Sequence, residues 1–164
     1  MVVGRDAVAP IQVAAICGHI QIVMLSFHIS IHARAPEVAC GNEVELDHGV
    51  VHTLAVPQAA LATAFQISFE DAGAALAKLD RMFFEPDGSF VWASPSGQTA
   101  WQVDGNLFDR NGRLLFVDLK GSCPSEQFDR LLSALGWPIA PLMFQLVREA
   151  VFLDEAEFRR YAAG

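Results

Sequence analysis

The dipeptide Asn111-Gly112 constrains the fold of this chain more than any other feature of its sequence. It separates two strand-like runs, residues 99–109 and 113–120. A two-residue loop of this composition is typical of a type I′ turn, because both central positions need a positive φ that Asn and Gly tolerate best. The sequence therefore predicts a tight β-hairpin in which Asp109 pairs with Leu114.

Turn signals before this hairpin extend it into an antiparallel meander over residues 84–120. The turn Pro86-Asp87-Gly88 separates two short apolar runs, and residues 94–97 form the next loop. Farther upstream, residues 26–33 alternate strictly between apolar and polar side chains, which predicts a half-buried strand. Shorter strands are expected around the turn at His48-Gly49.

Helix signals flank the meander. Ser68 is a good N-cap for a helix over residues 69–82, with apolar residues at helical spacing and acidic residues in the first turn. Pro124 suits the first turn of a second helix, over residues 124–135. A cap at Asp154 predicts a short C-terminal helix. Residues 139–153 fit a helix or two strands equally well.

These elements predict one α+β domain over residues 1–164, with a mainly antiparallel sheet of five or six strands and two main helices on one face. The first 35 residues form an apolar segment that this domain does not need. We expect the segment to be peripheral, to form an interface, or to be the remnant of an export signal, since Ala33-Arg34-Ala35 resembles a signal-peptidase site. Polar residues interrupt the segment, and no transmembrane segment is expected.

Charge and composition exclude some classes of function. Of 164 residues, 52% are apolar, and 11 basic against 19 acidic residues give a formal net charge of −8. This acidic balance argues against broad nucleic-acid binding. The high apolar fraction predicts a homo-oligomer or a protein partner. Three widely spaced cysteines indicate free thiols and favour a cytoplasmic location, with export as the alternative.

The motif Asp118-Leu119-Lys120 follows an apolar run. If residues 142–147 form a strand, the order over residues 69–147 is helix, three strands, helix and strand. Together with this motif, that order resembles the core of the PD-(D/E)xK nuclease family. In that family, the resemblance implies, two acidic residues and a lysine on adjacent strands hold Mg²⁺ and activate a water molecule. Asp104 and Asp109 are the candidates for the second acid.

The hairpin register tests this resemblance. Counting outward from the turn places Gly105 opposite Asp118 and Asp104 opposite Leu119, so the side chain of Asp104 points to the other side of the sheet. The side chain of Asp109 points to the same side of the sheet as that of Asp118, but it lies roughly 13 Å away along the strand. Only a β-bulge that shifts the pairing register would place a second acidic side chain beside Asp118. Without one, Asp118 and Lys120 mark the point where a buried strand emerges into solvent.

A second candidate metal site involves histidines. His28 and His32 share a strand face but lie roughly 13 Å apart, too far to bind one ion. A cross-strand partnership of either residue with His48 or His52 is the alternative.

No nucleotide-binding or hydrolase motif occurs in the sequence, and no cofactor is expected. The sequence favours a non-catalytic binding or assembly module that self-associates. The alternative is a metal-dependent nuclease that uses Asp118 and Lys120 with Asp104 or Asp109.

Overall fold

The computed structural model describes residues 21–164, which form nine β-strands and three α-helices. The strands are β1 (Met24–Ala33), β2 (Ala39–Leu46), β3 (Gly49–Ala55), β4 (Met82–Phe84), β5 (Ser89–Ala93), β6 (Gln102–Arg110), β7 (Arg113–Pro124), β8 (Leu142–Leu146) and β9 (Val151–Leu153). The helices are α1 (Phe69–Leu76), α2 (Ser125–Ala134) and α3 (Glu155–Ala162), and a short 3-10 helix spans Gln58–Ala62.

All nine strands belong to one antiparallel sheet, in the order β2-β3-β9-β8-β1-β7-β6-β5-β4. The α+β class and the antiparallel sheet are therefore confirmed. The expected count of five or six strands is wrong, because the N-terminal strands and residues 139–153 join the same sheet as the meander. The ambiguous region 139–153 forms strands β8 and β9.

The three helices pack on one face of the sheet and build the main core there. Phe128 of α2 and Phe158 of α3 have ring centroids 5.4 Å apart, and Phe158 stacks on Phe144 of β8 at 4.6 Å. Each of these rings is fully buried. Burying a side chain of this size stabilises the fold by about 1.5–3 kcal/mol, so these contacts hold α2 and α3 firmly on the sheet.

Local caps fix where the first helix begins and ends. The Ser68 hydroxyl accepts a hydrogen bond from the Asp71 backbone N–H at 3.0 Å, as the sequence predicts. The helix ends at Leu76, so the predicted end at residue 82 is wrong. After Leu76 the backbone continues in tight turns, with Leu79 N–H donating to the Leu76 carbonyl at 2.9 Å, and β4 begins at Met82. The second and third helices lie close to their predicted positions.

The hairpin turn agrees with the sequence prediction. Asn111 and Gly112 have φ values of 54° and 77°, and Asp109 pairs with Leu114. The Asp109 carboxylate accepts a hydrogen bond from the Gly112 N–H at 2.8 Å. The turn residues therefore set the start of the β6–β7 ladder.

Directly beyond this start, a β-bulge shifts the ladder. Phe108 pairs with Phe116, which leaves Leu115 as an extra residue in β7. The carbonyl of Leu114 accepts a hydrogen bond from Phe65 N–H at 2.8 Å, so a segment outside the hairpin binds the bulged strand. The predicted register is consequently wrong from this point to the far end of the hairpin.

The N-terminal strand corrects a second expectation. Residues 24–33 form β1, which lies in the middle of the sheet between β7 and β8. Its apolar side chains lie in the main core, so this part of the 1–35 segment is integral to the domain and not peripheral. The expectations about residues 1–20 lie outside the described residues.

The other face of the sheet has a smaller apolar cluster near one end. The chain after β1 and the 3-10 helix contribute to it and cover the sheet only there. Its buried members are Ala35, Val38, Leu54, Ala60 and Met143.

Candidate functional site

In the described part of the chain, no helix covers the rest of this second face, and we call it the open face. Its polar and aromatic side chains come from six neighbouring strands, β8, β1, β7, β6, β5 and β4, whose register places them in rows across the sheet. The open face carries Phe83, Ser89, Val91, His28, Ser30, His32, Asp104, Asn106, Phe108, Phe116, Asp118, Lys120 and Gln145.

The bulge in β7 brings the nuclease-like residues together. Asp104 lies opposite Lys120, and Asn106 lies opposite Asp118. Asp104, Asp118 and Lys120 therefore share the open face, contrary to the predicted register. The side chain of Gln102 donates a hydrogen bond to Asp104 at 2.8 Å.

Asp118 and Lys120 also lie elsewhere than expected along the strand. Strand β7 continues to Pro124, so the two residues lie within the strand and not at its exit into solvent. Asp109 lies at the hairpin turn, where its carboxylate binds Gly112. It is thus far from Asp118, as the spacing predicts.

A hydrogen-bonded pair lies at the middle of the open face. The buried Ser30 hydroxyl of β1 donates to the Asp118 carboxylate of β7, its direct partner in the ladder. Asn106 lies on the other side of Asp118, and its buried side-chain oxygen accepts no hydrogen bond from residues 21–164. Gln145 of β8 lies on the other side of Ser30. A polar row thus crosses four strands.

His32 belongs to an aromatic row beside this polar row. Its ring stacks on Phe116 at 5.5 Å and meets Phe152 edge-on at 5.5 Å, and Phe116 stacks on Phe108 at 4.4 Å. His32 is only 8% exposed, and no group within residues 21–164 meets full hydrogen-bond geometry with either ring nitrogen. Burial lowers the pKa of His32, although Asp118 and Gln145 oppose the shift. The lowered pKa favours the neutral form of this buried imidazole.

The other histidines are distributed along the sheet. Strands β8 and β9 separate β1 from β3, so neither His28 nor His32 is a cross-strand neighbour of His52. His52 instead contacts the carboxylates of Glu43 at 2.8 Å and Glu157 at 3.4 Å. Within residues 21–164, no group of three or more His, Cys, Asp or Glu side chains is arranged to hold a metal ion.

Sequence reasoning missed Ser30, Asn106 and Gln145 as members of one row. The alternating pattern of residues 26–33 does place Ser30 and His32 on one face of their strand. Their neighbours, however, come from strands 76 to 115 residues farther along the chain. Only the strand order identifies them.

Comparisons with protein families, with curated proteins and with solved structures found no match for this chain. No helix in the described part of the chain is long and apolar enough to cross a membrane.

Proposed function

We propose that this protein is a non-catalytic binding module that self-associates through its open face. The observation that carries the proposal is the one-sided packing of the helices, which within residues 21–164 leaves the open face without a covering helix. Phe83 and Val91, which pair across β4 and β5, are 59% and 38% exposed there. Exposed apolar side chains grouped on one surface are typical of an interaction site.

The charges of the open face favour a second copy of this chain as the partner. Asp104 and Asp118 lie close to Lys120, so the face carries both signs although the whole chain carries a net charge of −8. In a two-fold contact, the same patch faces itself. Lys120 of one copy can then lie near Asp104 of the other, which reduces the repulsion between two acidic chains.

The polar groups of the open face support a binding role over a catalytic one. Ser30 donates its hydroxyl proton to Asp118, and Gln102 donates to Asp104, so both carboxylates already have partners.

Sedimentation velocity between about 1 and 100 μM tests self-association. We expect the wild-type chain to sediment as a dimer or larger species in this range. Val91→Lys places a charge on the exposed apolar patch and should shift the protein to the monomer. The matched control is Ile139→Lys, at an 88% exposed apolar residue in the loop before β8. A wild-type monomer throughout, or equal loss of association in both variants, would overturn the proposal.

A metal-dependent nuclease is the second candidate. The bulge that gathers Asp104, Asp118 and Lys120 on adjacent strands of one face supports it. Two carboxylates and a lysine in this arrangement have the ligand types and the positive charge that Mg²⁺-assisted hydrolysis needs. The metal titration described in the Discussion separates the two proposals.

A further inference from the structure

A notch interrupts the sheet beside β1, at the end of the open face where His28 lies. Pairing between β1 and β8 ends at Ile29 and Leu146, where Val147 N–H donates to the His28 carbonyl at 3.1 Å. Beyond this point, no strand formed by residues 21–164 lies beside the side of β1 that carries the Ser26 backbone groups. The β2–β3 turn, the β8–β9 turn and α3 enclose a cavity of about 300 Å³ there.

The notch has an apolar floor. Phe27, Leu146 and Phe158 line it, and Phe158 is fully buried in the main core. Small-molecule sites are typically concave and mainly apolar, with a few polar groups that fix the orientation of the ligand. The floor of this notch fits the apolar part of a small molecule.

One wall of the notch is already held in place. The His48 ring stacks on Tyr161 with centroids 4.9 Å apart, and His48 Nδ1 lies 3.1 Å from the Tyr161 carbonyl oxygen. The Tyr161 hydroxyl donates to the Glu149 carboxylate at 3.2 Å. A wall with a fixed geometry binds a ligand at a lower entropic cost than a mobile one.

Charges of both signs meet at the mouth of the notch. Asp47, Arg148 and Glu149 all line it. Burial raises the pKa of the Tyr161 hydroxyl, and the carboxylates of Glu149 and Asp47 raise it further, whereas Arg148 opposes them. The charges of Asp47, Arg148 and Glu149 therefore all act on the Tyr161 hydroxyl beside the cavity.

We propose that this notch binds a small zwitterion of the amino-acid class. The ligand carboxylate pairs with Arg148, the ammonium group pairs with Glu149 and Asp47, and the side chain lies on the apolar floor. A guanidinium binds a carboxylate with two parallel hydrogen bonds, which fixes its orientation. A ligand with a single charge leaves either Arg148 or the two carboxylates without a partner, and it therefore binds more weakly.

The test uses L-phenylalanine with two analogues of matched shape, phenethylamine and 3-phenylpropionate, which each lack one charge. Binding is followed by isothermal titration calorimetry and by NMR shifts of the Tyr161 and His48 side chains. We expect a Kd of about 1 mM or tighter for L-phenylalanine and at least about tenfold weaker binding of each analogue. An analogue that binds as well as L-phenylalanine, or no shift at Tyr161, would overturn the proposal.

Charge-removing variants assign each contact. Arg148→Gln should weaken binding of L-phenylalanine about tenfold and leave binding of phenethylamine unchanged. Glu149→Gln should weaken both of these ligands and leave binding of 3-phenylpropionate unchanged. Arg130→Gln, at an exposed residue of α2, is the control and should change nothing. Arg148 is exposed, so we expect Arg148→Gln to fold, and the test stays valid even if Glu149→Gln unfolds. Equal losses of affinity for L-phenylalanine in Arg148→Gln and Arg130→Gln would refute the site.

Discussion

Asp104 lies directly opposite Lys120 in the β6–β7 ladder, one residue away from the register that the hairpin turn predicts. The single bulged residue Leu115 causes this difference. It moves Asp104 from the helix-covered face to the open face, where Asp118 also lies. The geometric objection to a nuclease-like site therefore disappears, and the choice between the two proposed functions rests on metal binding.

We predict that neither Mg²⁺ nor Mn²⁺ at about 1–5 mM changes the melting temperature. The reason is that Asp118 and Asp104 already accept hydrogen bonds from Ser30 and Gln102. Differential scanning fluorimetry checks this. A metal-dependent rise in wild type that Asp118→Asn and Asp104→Asn abolish would promote the nuclease proposal. Asp80→Asn, at an exposed turn residue, is the control for both variants.

The Ser30–Asp118 pair should contribute measurably to stability. Asp118→Ala leaves the buried Ser30 hydroxyl without its acceptor, which we expect to lower the free energy of unfolding by about 1–3 kcal/mol. In the double variant with Ser30→Ala, the loss should be smaller than the sum of the single losses, because both variants remove the same bond. Urea unfolding of the four proteins measures this coupling. Additive losses would show that the bond is not formed in solution.

His32 should make stability depend on pH. Its pKa in the folded protein is lowered by burial, so the unfolded chain binds the proton more readily. The stabilisation by the neutral buried ring is complete at pH values above about 6.5, the ordinary pKa of histidine. It is lost progressively as the pH falls below that value. His32→Phe should remove this loss, because phenylalanine keeps an aromatic ring at this position and has no titratable group.

Urea unfolding at several values between about pH 5 and pH 7 measures this slope, to which one proton contributes at most about 1.4 kcal/mol per pH unit. His28→Gln is the control, since His28 is exposed on the same strand face. An unchanged slope in His32→Phe would show that His32 is not the residue responsible.

Gly105 should not tolerate a side chain. A Cβ atom there would lie 2.1 Å from the ring of Phe90, which is 3% exposed and covers the glycine from the neighbouring strand. We expect Gly105→Ala to lower the free energy of unfolding by about 1–3 kcal/mol. Adding Phe90→Leu should recover part of this loss, because it removes the clashing ring. Calorimetric melting of both variants checks the prediction, and a fully stable Gly105→Ala protein would contradict it.

The sequence by itself determined part of the local structure of this protein, chiefly its turns and helix caps. The turn at Asn111-Gly112 forms as predicted, because its positive φ values depend only on the two residues concerned. The same holds for the caps at Ser68 and Asp154, whose side chains bind backbone groups three residues on. The alternation of residues 26–33 likewise identified a strand with one apolar face.

Only the tertiary structure decided how these elements combine. The Leu115 bulge is bound by Phe65, a residue about 50 positions away, and local pattern contains no information about that contact. The central place of β1 depends on pairing with β7 and β8, both of which follow it by more than 75 residues. Because a one-residue shift exchanges the faces of a strand, the composition of the open face follows from these distant contacts and not from any motif.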